Sequence, residues 1–281
     1  MKYCFLTLII SLVVASCASA KNPVHKEMTI RPGEVRWIKF DIPHEDVRFF
    51  CRGKEYKIQK NNKKAQAVVI ESYFSDLKPF TCELKDQDQN LVEISFKVEE
   101  KEYKAEQLRV NPRRIKLNKK DQARADAEQL ILNKIYASSL NNFLFDSPFK
   151  KPMESVVTSV YGTRRVYNKK KKGQHLGTDF RAAIGEKVPA TNKGKVVFAG
   201  DLFYTGGTVI IDHGLDIFSV YGHLSKPLVE AGQIVERGQV IGLSGNTGRT
   251  SGPHLHWGVK VQGQYIDGFA LIEESEKIFK D

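Results

Sequence analysis

Of the chain's seven histidines, five fall in its second half: His175, His213, His223, His254 and His256. The stretch GPHLHWG sets His254 and His256 two positions apart. On a strand such side chains point to one face, so both imidazoles would look into the same space. A single H-x-H pair is also what an ordinary solvated strand face carries, so it needs partners to be read as a site. QHLGTDF supplies them, with His175 and Asp179 four apart. On an extended segment His175, Gly177 and Asp179 share a face, and Gly177 leaves the space between the two polar groups open.

His175, Asp179 and His256 together make two imidazoles and one carboxylate. Three such ligands leave a fourth position for water, the pattern of a catalytic Zn²⁺ rather than of a closed structural site. A Cys-rich structural zinc site is excluded by the shortage of cysteines, and Ca²⁺ prefers about six to eight oxygens. The H-E-x-x-H helix, which brings its own general base, is absent. Two other histidines can handle the proton: His254, on the same face as His256, and His223 in FSVYGHLS, at a strand end. An imidazole with a pKa of about 6.5 can take a proton from water and return it to a leaving amine. His213, before a glycine in IIDHG, has no spacing relation to the others and is read as structural.

The motifs HLGTD, YGHLS and GPHLHWG, in that order and spacing, resemble the M23 family of zinc metallopeptidases, the lysostaphin or LytM-type peptidoglycan endopeptidases. The resemblance runs over about residues 147–270 and takes in SVYGTRR and VEAGQIVERGQVIGLSGNTGRTSGPHLHWGV. It implies one Zn²⁺ held by His175, Asp179 and His256, with His223 and His254 as catalytic histidines. The implied fold is an antiparallel β-sheet platform with a groove bordered by loops, and the implied substrate is a peptide bond in peptidoglycan stem peptides or cross-links. The resemblance leaves open which bond is cut: D-Ala to diaminopimelate, D-Ala to D-Ala, or a glycine bridge. One departure is the run Lys169–Lys172 before His175; such a run is ordinarily solvated charge, or else it attracts carboxylates. Arg164 and Arg165 either hold a substrate carboxylate in two parallel bonds or brace the fold.

These residues need elements to hold them. Residues 147–281 read as short strands cut by glycines (VVTSVYG, KVVFAG, TVIIDHG, FSVYGHL, QVIGLSG, HLHWGVKV), a compact β domain that the resemblance makes an M23-type peptidase domain. Residues 111–146 read as a helical linker docked on one domain, with Asn118 as N-cap, Asp121 in the first turn, and Ala123, Ala127, Leu130 and Ile131 as its apolar stripe. Residues 21–110 alternate in the manner of a β-sandwich-like accessory domain, as in Val92, Ile94, Phe96 and Val98. The fold class is therefore mainly β: a sandwich-like domain, a linker helix and an antiparallel LytM-type sheet. His25 and His44 are read as surface residues. Were the amino-terminal region laid across the groove as an inhibitor, Asn141 or Asn142 would be the first suspects for a fourth ligand.

At 281 residues, two domains with separate cores are expected. Residues 1–20 have a lysine, an apolar run too short to span a bilayer, and a small-residue end, which is the layout of a secretory signal. Cleavage after Ala18-Ser19-Ala20 competes with a lipobox reading of Val14-Ala15-Ser16-Cys17, in which lipidated Cys17 attaches the protein to a membrane. Either outcome places an exported bacterial protein in the envelope or beyond. In that compartment Cys51 and Cys82, both on period-2 apolar sets, are expected to form a disulfide. The net charge of +11 points to an anionic partner, and export argues against nucleic acid. Peptidoglycan is the expected partner, and the sequence leaves the oligomeric state open. The competing readings are a non-catalytic LytM-type wall binder or amidase activator, in which ligands or catalytic histidines are lost, and a carrier barrel of biotinyl or lipoyl type, which would need a lysine presented at a tight turn.

Overall fold

The computed structural model describes residues 23–87, 89–108, 117–168 and 171–280. The expected signal at 1–20 with Cys4 and Cys17, the stretch 109–116, and Lys169 and Lys170 lie outside the described residues. The chain is mainly β, with a sandwich first, then a helix, then an antiparallel sheet.

The sandwich is built from alternating residues whose apolar sets face each other. One sheet runs Val24–Ile30, Gln89–Val98, Phe80–Asp86, Arg48–Cys51, Lys54–Tyr56 in spatial order, and the other Val35–Asp41, Lys64–Ile70, Gln59–Asn61. Their inner faces close on Ile38, Phe40, Phe49, Ala67, Leu84, Ile94 and Phe96. Cys51 and Cys82 stand directly opposite on adjacent strands and are joined by the expected disulfide. The first strand pairs in parallel with Gln89–Val98, so the sandwich is not made of hairpins alone.

The two halves keep distinct core clusters, and one strand pair of the sandwich contributes to both. In the strand Val35–Asp41, Ile38 and Phe40 face the sandwich interior, while Val35 and Trp37 on the opposite face join the core of the second half, as do Val68 and Ile70 of the neighbouring strand. A sheet that is apolar on both faces must be covered on both. Trp37 packs against Phe143 and Phe145, with ring centroids 4.9 and 5.8 Å away. A carboxy-terminal helix, Gly268–Phe279, seals the joint: Trp37 N–H donates to Glu274 Oε2 (3.1 Å) and Phe149 N–H to Ser275 Oγ (2.9 Å). The sequence reading overlooked this helix, although Asp267 caps it in the expected way, accepting from Phe269 N–H.

The helix Lys119–Tyr136 begins as expected, with the Asn118 side chain accepting from Asp121 N–H. Its docked face differs from the expected stripe. Leu132 and Tyr136 pack against Ile210, Phe218 and Val220 of the sheet and Ala125 is buried, whereas Leu130 and Ile131 are 65% and 52% exposed. Polar anchors override the apolar stripe here: Arg124 Nη2 donates to Asp201 Oδ2 (2.8 Å), and Glu128 Oε2 accepts from Phe203 N–H (2.7 Å).

The main sheet of the second half has the order Val157–Ser159, Thr178–Arg181, His254–Val261, Ile217–Leu224, Gly206–Asp212, Gly194–Leu202, Ile234–Val235, antiparallel throughout. Its interior is filled by Phe180, Val209, Ile211, Tyr221, Leu255, Trp257 and Val259. Among the described residues no helix is long and apolar enough to cross a membrane.

Candidate metal centre and its histidines

Strand register assembles the site. Ser159 is opposite Asp179, Asp179 opposite His256, and His256 opposite Gly222, so four neighbouring strands contribute one row. Opposed residues project to the same face, so Ser159, Asp179 and His256 share a surface, and the space beside Gly222 is taken by the Thr205 side chain. His254, two positions from His256, pairs with Arg181 and shares that face.

His223 reaches the same place by an irregularity. It follows Gly222, so regular alternation would send it to the other face. Gly207 pairs with Leu224 but Val209 with Tyr221, which inserts one extra residue in the Ile217–Leu224 strand. His223 takes the left-handed backbone there, with φ 63°. A bulge of this kind re-aims a side chain, and left-handed backbone at a non-glycine costs about 1–3 kcal/mol, so the surroundings must hold it. They do: His223 N–H donates to Thr205 O (2.6 Å) and its Nδ1–H to Thr247 O (2.8 Å). The helix anchors at Asp201 and Phe203 fix the loop that carries Thr205.

His175 corrects a detail of the sequence reading. It does not share a continuous strand with Asp179; the chain bends between the strands Lys171–Gln174 and Thr178–Arg181. The space at Gly177 is filled by the His256 ring, since a Cβ at 177 would lie 2.4 Å from His256 Cε1. Glycine is required there by close approach.

The three groups converge closely. His175 Nε2 is 3.0 Å and His256 Nδ1 2.9 Å from Asp179 Oδ1, and the two nitrogens are 3.1 Å apart. One ligand atom from each residue lies within 4.8 Å of the others. Two imidazole nitrogens aimed at one carboxylate oxygen and at each other place three lone-pair sites around one point, which a cation between them satisfies. His175 Nδ1–H is taken by Val160 O (3.3 Å) and Ser159 Oγ (3.1 Å), which leaves Nε2 as the free lone pair. The donor set therefore fits Zn²⁺.

Electrostatics agree with that geometry. Burial works to raise the Asp179 carboxyl, but hydrogen bonds with His175 and His256 outweigh it and hold the group well below the usual carboxylate range. Burial pushes the His256 imidazole down, against the pull of Asp179. It also pushes His223 down to about 4, against the Thr247 carbonyl, so His223 is neutral near pH 7.

His254 completes the group. Its Nδ1–H donates to Gly252 O (2.8 Å), and its Nε2 lies 3.6 Å from Asp179 Oδ1. The His223 and His254 rings are 4.7 Å apart between centroids. Each has Nδ1 engaged with a backbone carbonyl, which makes Nε2 the nitrogen that carries the lone pair. Val160 and Tyr204, beside Ser159 and Thr205, are both exposed.

The remaining expectations are placed as follows. His213 is fully buried, with Nδ1 on Lys193 O and Nε2 on Ser219 Oγ, each at 2.7 Å. His25 and His44 are exposed. The suggestion that Asn141 or Asn142 supplies a fourth ligand is corrected: the Asn142 carbonyl packs on Gly214, next to the opposite end of the Ile217–Leu224 strand from His223. The residues that hold the histidines, Ser159, Thr205, Thr247 and Glu128, went unnoticed in the sequence. Most of them act through backbone carbonyls or across strand register, neither of which leaves a pattern of residue types.

Comparison with known proteins agrees with this geometry. Residues 173–268 match the model of Peptidase family M23. Peptidoglycan DD-endopeptidase ShyA of Vibrio cholerae is 45% identical over 112 residues, which is 40% of this chain and 26% of that protein. Peptidoglycan DD-endopeptidase ShyB of the same organism is 45% identical over 93 residues, 33% of this chain and 22% of that protein. The chain thus spans about a quarter of the length of these curated relatives. A crystal structure of a putative peptidase M23 from Pseudomonas aeruginosa is similar with TM-score 0.67 at 28% identity, covering 91% of this chain and 97% of that one.

Proposed function

We propose, from the premise that residues 173–268 of this chain are a Peptidase family M23 domain, that the protein is an exported zinc metalloendopeptidase that hydrolyses peptidoglycan cross-links. The observation that carries this reading is the convergence of His175, Asp179 and His256 beside two further imidazoles whose Nδ1 atoms are held by backbone carbonyls. Relatives named DD-endopeptidases favour a DD bond, D-Ala to diaminopimelate or D-Ala to D-Ala, over a glycine bridge. The non-catalytic reading requires lost ligands or histidines, and all five positions are filled.

In this reading His175 Nε2, His256 Nδ1 and Asp179 hold the metal. Bound zinc supplies Lewis acidity, polarising the scissile carbonyl and lowering the pKa of water. The protein's own groups do the rest. His223 and His254, each fixed by a backbone carbonyl at Nδ1, present Nε2 to the reacting atoms. The Nε2 lone pair of one takes the proton of the attacking water and returns it to the leaving amine, and the other steadies the developing oxyanion in the form that carries a proton at Nε2 as well. The bulge at His223 keeps that ring in place before substrate arrives. Export follows from the leader, with processing after Ala20 or lipidation at Cys17 as its two forms, and the envelope is the place of work. The test is the clearing of a suspension of purified peptidoglycan: clearing that chelator abolishes and zinc restores supports the reading, and clearing that chelator leaves untouched contradicts it.

A further inference from the structure

Asp179 uses one carboxylate oxygen on the two imidazoles, and its second oxygen faces a guanidinium. Arg165 Nη2 lies 3.9 Å from Asp179 Oδ2 and donates to Ser159 Oγ at 2.8 Å. Ser159 Oγ is in turn 3.1 Å from His175 Nδ1. One side chain thus touches the supports of two of the three converging groups. Its remaining edge faces Glu106, with Arg165 Nε 4.0 Å from Glu106 Oε2; that Nε–H is buried and has no hydrogen-bond partner among the described residues.

Glu106 comes from the amino-terminal half. The strand Ala105–Leu108, which follows the last sandwich strand, pairs in parallel with Arg164–Tyr167 and puts Glu106 opposite Arg165. The same half grips the adjoining turn. Tyr73 Oη–H donates to Gly162 O at 3.2 Å, and the Tyr103 ring lies where a Cβ at Gly162 would stand. That turn exchanges backbone hydrogen bonds with His175: Gly162 N–H to His175 O (2.7 Å) and His175 N–H to Thr163 O (2.9 Å).

We propose that Arg165 is a positioning residue for the metal ligands, orienting Asp179 directly and His175 through Ser159, and that Glu106 of the amino-terminal half holds Arg165 in place. The inference rests on the metal reading above. It makes the amino-terminal half part of the site's framework, joined to it through the Ala105–Leu108 strand. Outer groups that orient first ligands typically change metal affinity by about 10- to 100-fold when removed.

The test is zinc affinity of the full chain, measured by competition with a chromophoric chelator. Arg165→Met is expected to raise the zinc Kd by about 10- to 100-fold and to shift the visible absorption of the cobalt-loaded protein. Arg165→Lys keeps a charge near Asp179 but cannot span to Ser159 in the same way, and should fall between the two. Ser159→Ala removes only one acceptor, and is the variant to rely on should Arg165→Met fold poorly. Glu106→Gln should give a smaller loss in the same direction. Unchanged thermal unfolding of the metal-free variants would separate positioning from general destabilisation. Zinc Kd values for Arg165→Met and Ser159→Ala within about twofold of the parent would overturn the inference while leaving the metal reading intact. A parent chain that binds no zinc would overturn both.

Discussion

Gly177→Ala is a one-atom test of how closely the site is packed. Glycine is not needed there for its backbone angles, which fall outside the left-handed region. It is needed because a Cβ would lie 2.4 Å from His256 Cε1, 2.7 Å from His256 Nε2 and 2.9 Å from the Trp257 carbonyl oxygen. Ordinary carbon contacts are about 3.5 Å or more, so the ring must retreat by about 1 Å. The larger displacement falls on the His256 ring, with the Trp257 carbonyl giving way as well. The site cannot absorb that, because His256 Nδ1 is fixed 2.9 Å from Asp179 Oδ1. A displacement of about 1 Å in a reacting constellation costs about 100-fold in rate, or about 2.7 kcal/mol. The control is Gly252→Ala, two residues before His254, where a Cβ meets nothing within 4 Å. Release of soluble muropeptides from purified peptidoglycan, with zinc content measured alongside, should show Gly177→Ala down by about two orders of magnitude and Gly252→Ala within a few-fold of the parent. Full activity and full zinc content in Gly177→Ala would refute the claim that His256 is held by this contact.

Three further outcomes are expected. His254→Ala should retain zinc and lose cleavage, whereas His256→Ala should lose both; metal analysis beside the activity assay distinguishes them, and equal zinc loss in the two would count against the division of roles. His213 is 0% exposed and its pKa is pushed down to about 4 by burial, so the unfolded chain binds the proton first. Stability should therefore fall by about 3 kcal/mol as pH drops from about 6.5 to about 4, and denaturant unfolding of metal-free His213→Gln should show a correspondingly flatter pH dependence. The Cys51–Cys82 bond closes a loop with a sequence separation of 31. Its reduction should cost roughly 3 to 4 kcal/mol of stability, read as a lower urea midpoint with reductant than without.

The sequence was most informative where function depends on residue type at short range. The spacing of His254 and His256 placed them on one face, and His175 with Asp179 supplied the partners. Alternation in the sandwich also located the opposed cysteines. It was silent where function depends on register or on the backbone. Nothing in FSVYGHLS announces that a bulge and a left-handed residue turn His223 onto the face of its partners. Nothing in QHLGTDF shows that Gly177 accommodates a ring from another strand. The linker helix misled for a different reason: Leu130 and Ile131 suggested the docked stripe, but Arg124 and Glu128, anchored at Asp201 and Phe203, turned the other face inward. The joint core around Trp37 was hidden because alternation in Val35–Asp41 marks two faces without saying what covers each.

The most direct test is mass spectrometry of purified cross-linked muropeptides incubated with the protein, with and without chelator, beside His254→Ala. The account predicts that dimers are converted to monomers by addition of one water at a DD bond, in the zinc-loaded parent alone. Dimers left intact by zinc-loaded protein, or cut equally well by His254→Ala, would contradict it.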